Sequence, residues 1–203
     1  MSITQTLSAS QIQQALAVLK NGGILAFPTD TVYGLGALAF DSAAIESIYV
    51  AKDRPIEKAI PILIGDLSNL DQIADNIPDM ALRFAARFWP GPLTCIVPKK
   101  QTLPPAISAT FTVAVRIPNH ADALALLRAA GPMAVTSANI SGQPSPSTAE
   151  EVYAQLNSRI PLILDGGKTP GGVPSTLVDC TGNEPIILRE GPISLAELLS
   201  AMK

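Results

Sequence analysis

Apolar positions fall at a helical spacing in some stretches and in short runs in others, and the two kinds take turns along the chain. In residues 10–20, Ile12, Ala15, Leu16 and Leu19 predict a helix, with Ser8 or Ser10 as its cap and Asn21-Gly22-Gly23 as its end. Residues 24–27 are a buried strand closed by Pro28. Asp41 or Ser42 opens a second helix that presents Ile45, Ile48 and Tyr49 on one face, and Pro55 stops it near Arg54. An apolar run follows over residues 60–64. Helices are predicted again over 79–88, 121–130 and 148–156, and one more starts at Ser194. Thr148 and Glu151 have the spacing of a capping box. Strands are predicted over 93–97, 112–117, 133–135, 162–164, 177–179 and 186–188. Without a repeat, a low-complexity tract or a linker, this alternation describes one α/β domain around a large mixed sheet.

Composition narrows the possibilities. The 203 residues fit one large domain or two small ones and can bury a substantial core. Hydrophobic residues make up 47% and charged residues 15%, which excludes a disordered chain. Aromatics are only 4%, so Ala, Ile, Leu and Val must fill the interior. No apolar run approaches the ~20 residues of a membrane helix. The opening MSITQTLSAS has neither the basic start nor the apolar stretch of an export signal. Cys95 and Cys180 suggest no disulfide framework. The expectation is a cytoplasmic protein without a membrane partner. The single histidine, His120, rules out a His-rich metal site, and a net charge of -3 argues against a chain that coats nucleic acid. A local basic cleft remains compatible with that charge.

Two polar loops leave strand ends. The first carries Thr29, Asp30, Thr31 and Tyr33 on backbone shaped by Pro28, with Gly34 and Gly36 expected to permit turns. It reads as a small-molecule site or as an ordinary loop. The second is TSANISGQPSPS, where Ser137, Asn139 and Ser141 offer hydroxyl and amide groups and Ser147 precedes a helix start that favours anions. Lys52, Arg54 and Lys58 lie at or past a helix end, either as cations that suit the helix dipole or as an anion clamp. Arg116 lies in an apolar strand and needs a carboxylate, from the protein or from a ligand, unless that strand is an exposed edge. Trp89 reads as a packing anchor, Lys99-Lys100 as a solvated hairpin end, and His120 as a turn residue. The glycine-rich residues 166–172 lack the spacing of a phosphate-binding loop, and neither GxGxxG nor GxSxG occurs. Ser175 and Arg189 fall near strand ends.

In chain order, FPTDTVYGLG, AKDRP followed by Lys58, FWPGPLT, VAVRIP, TSANISG with SPS, PSTLVD and LREGPIS resemble the YrdC-like family of threonylcarbamoyl-adenylate synthases, over about residues 22–194. The resemblance implies a single α/β domain over residues 1–203, with an open, twisted, mixed sheet flanked by helices and a concave basic groove. It resembles the short form, without the second C-terminal domain of longer members. It implies that ATP, L-threonine and bicarbonate give threonylcarbamoyl-adenylate and pyrophosphate. The threonylcarbamoyl group then passes, with partner proteins, to an adenosine beside the anticodon of certain tRNAs. Carried onto matching positions, the family's tetrad falls on Lys52, Arg54, Ser137 and Asn139. Arg54, Lys58, Asn139, Ser147 and Arg189 would face ATP, joined by Thr112; Thr31, Arg116, Ser137 and Ser175 would face threonine. Mg2+ is expected on the nucleotide, without a dedicated set of protein ligands. Leu63 stands where longer members have a threonine-contacting histidine, and Asp53 replaces a commoner glycine. A paralogue with another acceptor is thus the enzymatic alternative. A double-stranded RNA or tRNA-binding module using the same groove is the non-enzymatic one.

Overall fold

Successive side chains of a strand point to opposite faces, so a strand that is apolar throughout must be covered on both sides. A computed structural model describes residues 3–170 and 173–202. Gly171 and Gly172, the end of the glycine-rich stretch, lie outside the described residues. The chain runs β1 (Gln5–Ser8), α1 (Ile12–Lys20), β2 (Leu25–Phe27), β3 (Gly34–Leu38), α2 (Ser42–Lys52), β4 (Ile62–Leu63) and a 3-10 turn at Leu67–Gln72. It continues through α3 (Asp79–Phe88), β5 (Leu93–Pro98), β6 (Thr112–Arg116), α4 (Ala121–Ala130), β7 (Met133–Ser137), α5 (Ala149–Leu156), β8 (Leu162–Asp165), β9 (Thr176–Asp179), β10 (Ile186–Arg189) and α6 (Leu195–Ala201). Among the described residues, all ten strands join one mixed sheet in the order β1-β8-β2-β3-β7-β4-β6-β5-β9-β10.

The pleat sorts the strand residues into two cores. Ala26, Leu35, Ile62, Cys95, Val115, Ala134, Ile163 and Val178 pack with residues of α2, α3, α5 and α6. Leu25, Phe27, Leu63, Met133, Val135, Leu162 and Leu164 pack on the other face with residues of α1 and α4. Four helices therefore cover one face. The two on the other face pack on β2, β4, β7 and β8, with Leu7 of β1 and Leu38 of β3 at the margin. Beyond them, the same face of β6, β5, β9 and β10 carries no helix of that second core.

Several local expectations are corrected. Gly34 and Gly36 do not turn the chain; they lie inside β3, paired with β2 and β7. A Cβ on Gly34 would meet Val135 Cγ1 at 2.7 Å, so the Val135 side chain of the adjacent strand is what favours glycine there. α1 starts at Ile12 with Gln11 as its cap residue, while the Ser8 and Ser10 hydroxyls bond each other at 2.9 Å. α2 ends at Lys52, and Asp53 takes a left-handed conformation, φ 50°, as the cap. Thr148 caps α5 by accepting from the Glu151 amide, but the Glu151 carboxylate turns to Ser147. β1 and β3 were absent from the pattern. β1 is mostly exposed and edges the sheet beside β8, so it shows no apolar alternation. Among the described residues, no helix is long and apolar enough to cross a membrane.

Gly34→Ala is expected to lower stability by roughly 1–3 kcal/mol, because the added methyl overpacks against the buried Val135 side chain. Gly182→Ala, where the nearest atom would be 3.9 Å away, is the control and should stay within about 0.5 kcal/mol. Urea denaturation followed by circular dichroism compares the two.

Candidate active site

The uncovered end of the sheet floors a hollow of about 540 Å³. Thr94 and Ile96 of β5, Thr112, Ala114 and Arg116 of β6, Leu177 of β9 and Arg189 of β10 line it. These are the pleat positions opposite Cys95, Val97, Val113, Val115 and Val178, which face the core. Arg189 reaches this side through a bulge. Ile187 pairs with Val178 and Arg189 with Leu177, so two residues of β10 advance against one of β9. Without that extra residue Arg189 would share a face with Ile187. Gly191 lets the following chain lie against Ser175; a Cβ there would come within 2.3 Å of the Thr176 amide nitrogen.

The loop after β2 forms one wall. Thr29 Oγ1 donates to the Val32 carbonyl at 2.6 Å and bonds Thr31 Oγ1 at 3.0 Å, and both side chains are buried. Arg116 is enclosed among them. Its Nε donates to the Gly91 carbonyl at 2.9 Å, one terminal nitrogen donates to Thr31 Oγ1 at 3.1 Å, and the other pairs with the Asp30 carboxylate. Its strand lies between β4 and β5, so the carboxylate that the sequence required is Asp30. Burial pushes the pKa of this guanidinium down and Asp30 pushes it back up. Ser175 is fixed from two directions: Thr94 Oγ1 bonds its hydroxyl at 2.7 Å, and Arg189 donates to its hydroxyl at 3.1 Å and its carbonyl at 3.0 Å.

The opposite segments come from α2 and β7. Arg54 lines the hollow, with its guanidinium donating to the carbonyls of Lys58 and Ala59 at 3.2 and 2.8 Å. Burial lowers its pKa as well. Ser137 ends β7 on the wall. Lys52 is wholly enclosed, at 1% exposure, and its ammonium group donates to the backbone carbonyls of Ser137 and Asn139. The amide of Ser141 returns a bond to the Lys52 carbonyl at 2.8 Å. Burial, and secondarily the charge of Arg54, push the pKa of Lys52 down to about 7.

Of the sequence-predicted residues, Arg54, Thr31, Thr112, Arg116, Ser137, Ser175 and Arg189 meet at this hollow. Lys52, Lys58, Asn139 and Ser147 are not among the residues that line it. Lys52 lies behind the wall. The Asn139 amide nitrogen donates to the carbonyls of Ile140 and Gln143, and its Oδ1 is buried without a partner. Ser147 gives both its amide, at 2.6 Å, and its hydroxyl, at 3.0 Å, to the Glu151 carboxylate. His120 caps α4 without a side-chain bond. Leu63 lines the hollow and joins the second core. The three arginines face one carboxylate along the wall, Glu57, so the hollow is cationic in a chain of net negative charge. Among the described residues no group of three or more metal-ligating side chains stands together.

Sequence reasoning missed Thr94, Ser108 and Thr110. Ser108, Thr110 and Thr112 form a hydroxyl ladder with steps of 2.9 Å along the rim. Thr94 is the lone polar position in an otherwise apolar strand, and that break in composition was the available signal.

The family model Sua5_yciO_yrdC, described as "Telomere recombination", matches residues 17–191. A threonylcarbamoyl-AMP synthase of Bacillus subtilis (strain 168) is 45% identical over 201 residues, covering 97% of this chain and 58% of that protein. This chain thus spans only 58% of the length of that curated relative. A threonylcarbamoyl-AMP synthase of Pseudomonas aeruginosa (strain UCBPP-PA14) is 32% identical over 181 residues, covering 89% of this chain and 98% of that protein. Among solved structures, P. abyssi Sua5 complexed with L-threonine superposes with a TM-score of 0.92 at 41% identity, over 98% of this chain and 59% of that one. E. coli YciO superposes with a TM-score of 0.86 at 28% identity, over 96% of this chain and 99% of that one.

Two outcomes follow from the buried cations. Asp30→Ala strands the Arg116 guanidinium and is expected to cost roughly 3–5 kcal/mol of stability, measured by urea denaturation. The unfolded chain binds more protons at Lys52 than the folded one between pH 7 and 10.5, so folding gains stability as pH rises through that window. The stability of the natural protein relative to Lys52→Met should therefore climb between pH 7 and 10. A difference that stays flat with pH would contradict this.

Proposed function

This chain belongs to the Sua5–YciO–YrdC family, and from that premise we propose that it is a threonylcarbamoyl-AMP synthase. It converts ATP, L-threonine and bicarbonate into threonylcarbamoyl-adenylate and pyrophosphate. The observation that carries this reading is the convergence of Thr31, Arg116, Ser137 and Ser175 with Arg54, Thr112 and Arg189 on one cationic hollow. Arg116, Thr31 and Ser175 hold threonine, and Arg54, Arg189 and Thr112 hold the triphosphate. Lys58, Asn139 and Ser147 reach the nucleotide only when their segments shift on binding.

The chemistry asks for positioning and charge, not for a protein nucleophile. The amine of threonine adds to carbon dioxide released from bicarbonate, forming the N–C bond of a carbamate with loss of a proton. A carbamate oxygen then attacks the α-phosphorus of ATP, and the bond to the departing pyrophosphate breaks. Two ligands held side by side gain the advantage of an intramolecular reaction. Arginines aimed at the phosphates meet the charge that accumulates on the leaving group. Mg2+ arrives as part of the nucleotide substrate. With Glu57 as the one carboxylate on the wall, the donor set suits an ion held mainly by phosphate and water. The product passes to tRNA through partner proteins, in the cytoplasm, where the buried free thiols of Cys95 and Cys180 are at home.

One observation favours a second acceptor. Leu63 makes part of the wall apolar, together with Pro61 and Val135, which suits an aliphatic amino acid as well as threonine. Pyrophosphate release by the purified chain tests both readings. It should require ATP, bicarbonate and an amino acid together, and Arg54→Ala should slow it by about 100-fold or more. Equal release in every mixture would remove the synthase reading. A better rate with valine or isoleucine than with threonine would select the second acceptor.

A further inference from the structure

Lys52 is the only buried lysine among the described residues. It takes part in none of the ion pairs among those residues, which use Lys100, Arg116, Arg128 and Arg159. Its nitrogen has two acceptors, the carbonyls of Ser137 and Asn139. A neutral amine carries two N–H groups and would have both satisfied. An ammonium carries three, and the third has no acceptor here. An unpaired charge in an enclosed site is costly.

The described residues around it supply no compensating charge. The chain just beyond α2 brings Arg54, which repels. The Asp53 carboxylate is taken by Arg159, at 2.7 Å. The end of β7 and its loop contribute Ser137, Ala138 and Asn139, all uncharged. Tyr33 receives the Ala138 amide on its carbonyl, and burial pushes its phenol up to about 12, so it keeps its proton at neutral pH. Ser137 lines the hollow, so the amine sits one hydrogen bond behind the wall that a ligand would touch.

We propose that Lys52 is a positioning residue coupled to ligand charge: as a neutral amine it holds the Ser137–Asn139 backbone of the empty hollow, and it takes up one proton when a nucleoside triphosphate enters. The anion supplies the opposite charge that the protein withholds, and this offsets the cost of a buried ammonium even though its third N–H stays unpaired. Lys52 thereby senses a polyanion without contacting it, and ties the Ser137 wall to the nucleotide. This inference rests on the nucleotide reading of the hollow given above. Because burial already brings the amine's pKa to about 7, the uptake is observable near neutral pH.

Calorimetric titration of the full chain with ATP and Mg2+, without threonine, tests it. Run at pH 8 in Tris and in HEPES, whose ionisation enthalpies differ, the two heats yield the protons exchanged per nucleotide. The natural protein should take up about one half to one proton. Its Kd should rise between pH 7 and pH 9, approaching tenfold per pH unit at the steepest point. Lys52→Met should bind without uptake and with a flat profile, and Lys52→Arg, charged throughout, should also bind without uptake. Nucleotide binding with no proton uptake by the natural protein overturns this inference and leaves the synthase reading standing. Equal uptake by the natural protein and Lys52→Met assigns the proton elsewhere and overturns it too. Absence of nucleotide binding in every buffer overturns both readings.

Discussion

A ten-stranded sheet has two faces to cover, and among the described residues four helices lie on one and two on the other. The shortfall governs everything functional about the molecule. Where α1 and α4 reach, β2, β4, β7 and β8 present leucine, phenylalanine, methionine and valine to them. Where they do not, the same pleat face on β5, β6 and β10 carries Thr94, Thr112, Arg116 and Arg189. The core face of those strands stays apolar throughout, with Cys95, Val97, Val113 and Val115. Ile96, Ala114 and Leu177 share that face, so the floor is mixed, and a concave surface with arginines on it suits an anion. The binding floor is thus what remains of the sheet when its second layer runs out.

Two buried cations show how different partners serve different ends. Arg116 is paired with Asp30 and anchored on Gly91 and Thr31, so its direction is fixed before any ligand arrives. Breaking such a pair leaves an uncompensated charge, which is why it specifies geometry more than it adds stability. Among the described residues, Lys52 has only carbonyl partners. Carbonyl dipoles orient an amine but neutralise no charge, so the strap holds a loop while its own protonation stays sensitive to what fills the hollow.

Much of this was legible in the sequence, and the failures have physical causes. Helices with clear apolar periodicity, such as α3 and α4, and strands with strict alternation, such as β6, came through with small boundary errors. β3 did not, because Gly34 and Gly36 read as chain breakers while their real task is to let Val135 pack against the strand. β1 did not, because an exposed edge strand has no apolar face to betray it. For the site, the need of Arg116 for a carboxylate followed from burial alone, but Asp30 as that carboxylate required the fold to bring two distant segments together. Arg189 depended on a bulge, which no spacing rule in IILR announces. Ser147 illustrates the converse. Its place before a helix favoured an anion, and an anion is there, but it is Glu151 from the next turn.

That last contact exposes an asymmetry in how the hollow is built. Arg116, Thr31, Thr94, Ser175 and Arg189 are each held by at least one bond to a different chain segment, and most of them are buried. Groups fixed in this way lose little freedom on meeting a ligand, so this end can discriminate among small, rigid molecules. Arg54 is bonded only within its own turn, to Lys58 and Ala59, and Ser147 is satisfied by a neighbouring carboxylate. Those bonds are local, and a phosphate oxygen can take the place of each acceptor. One end of the hollow is therefore set in advance, and the other is held by local bonds that a ligand can replace; on the synthase reading proposed above, that ligand is the triphosphate. A site that must align two unlike substrates gains from this division, because the rigid end defines where the adaptable end has to close.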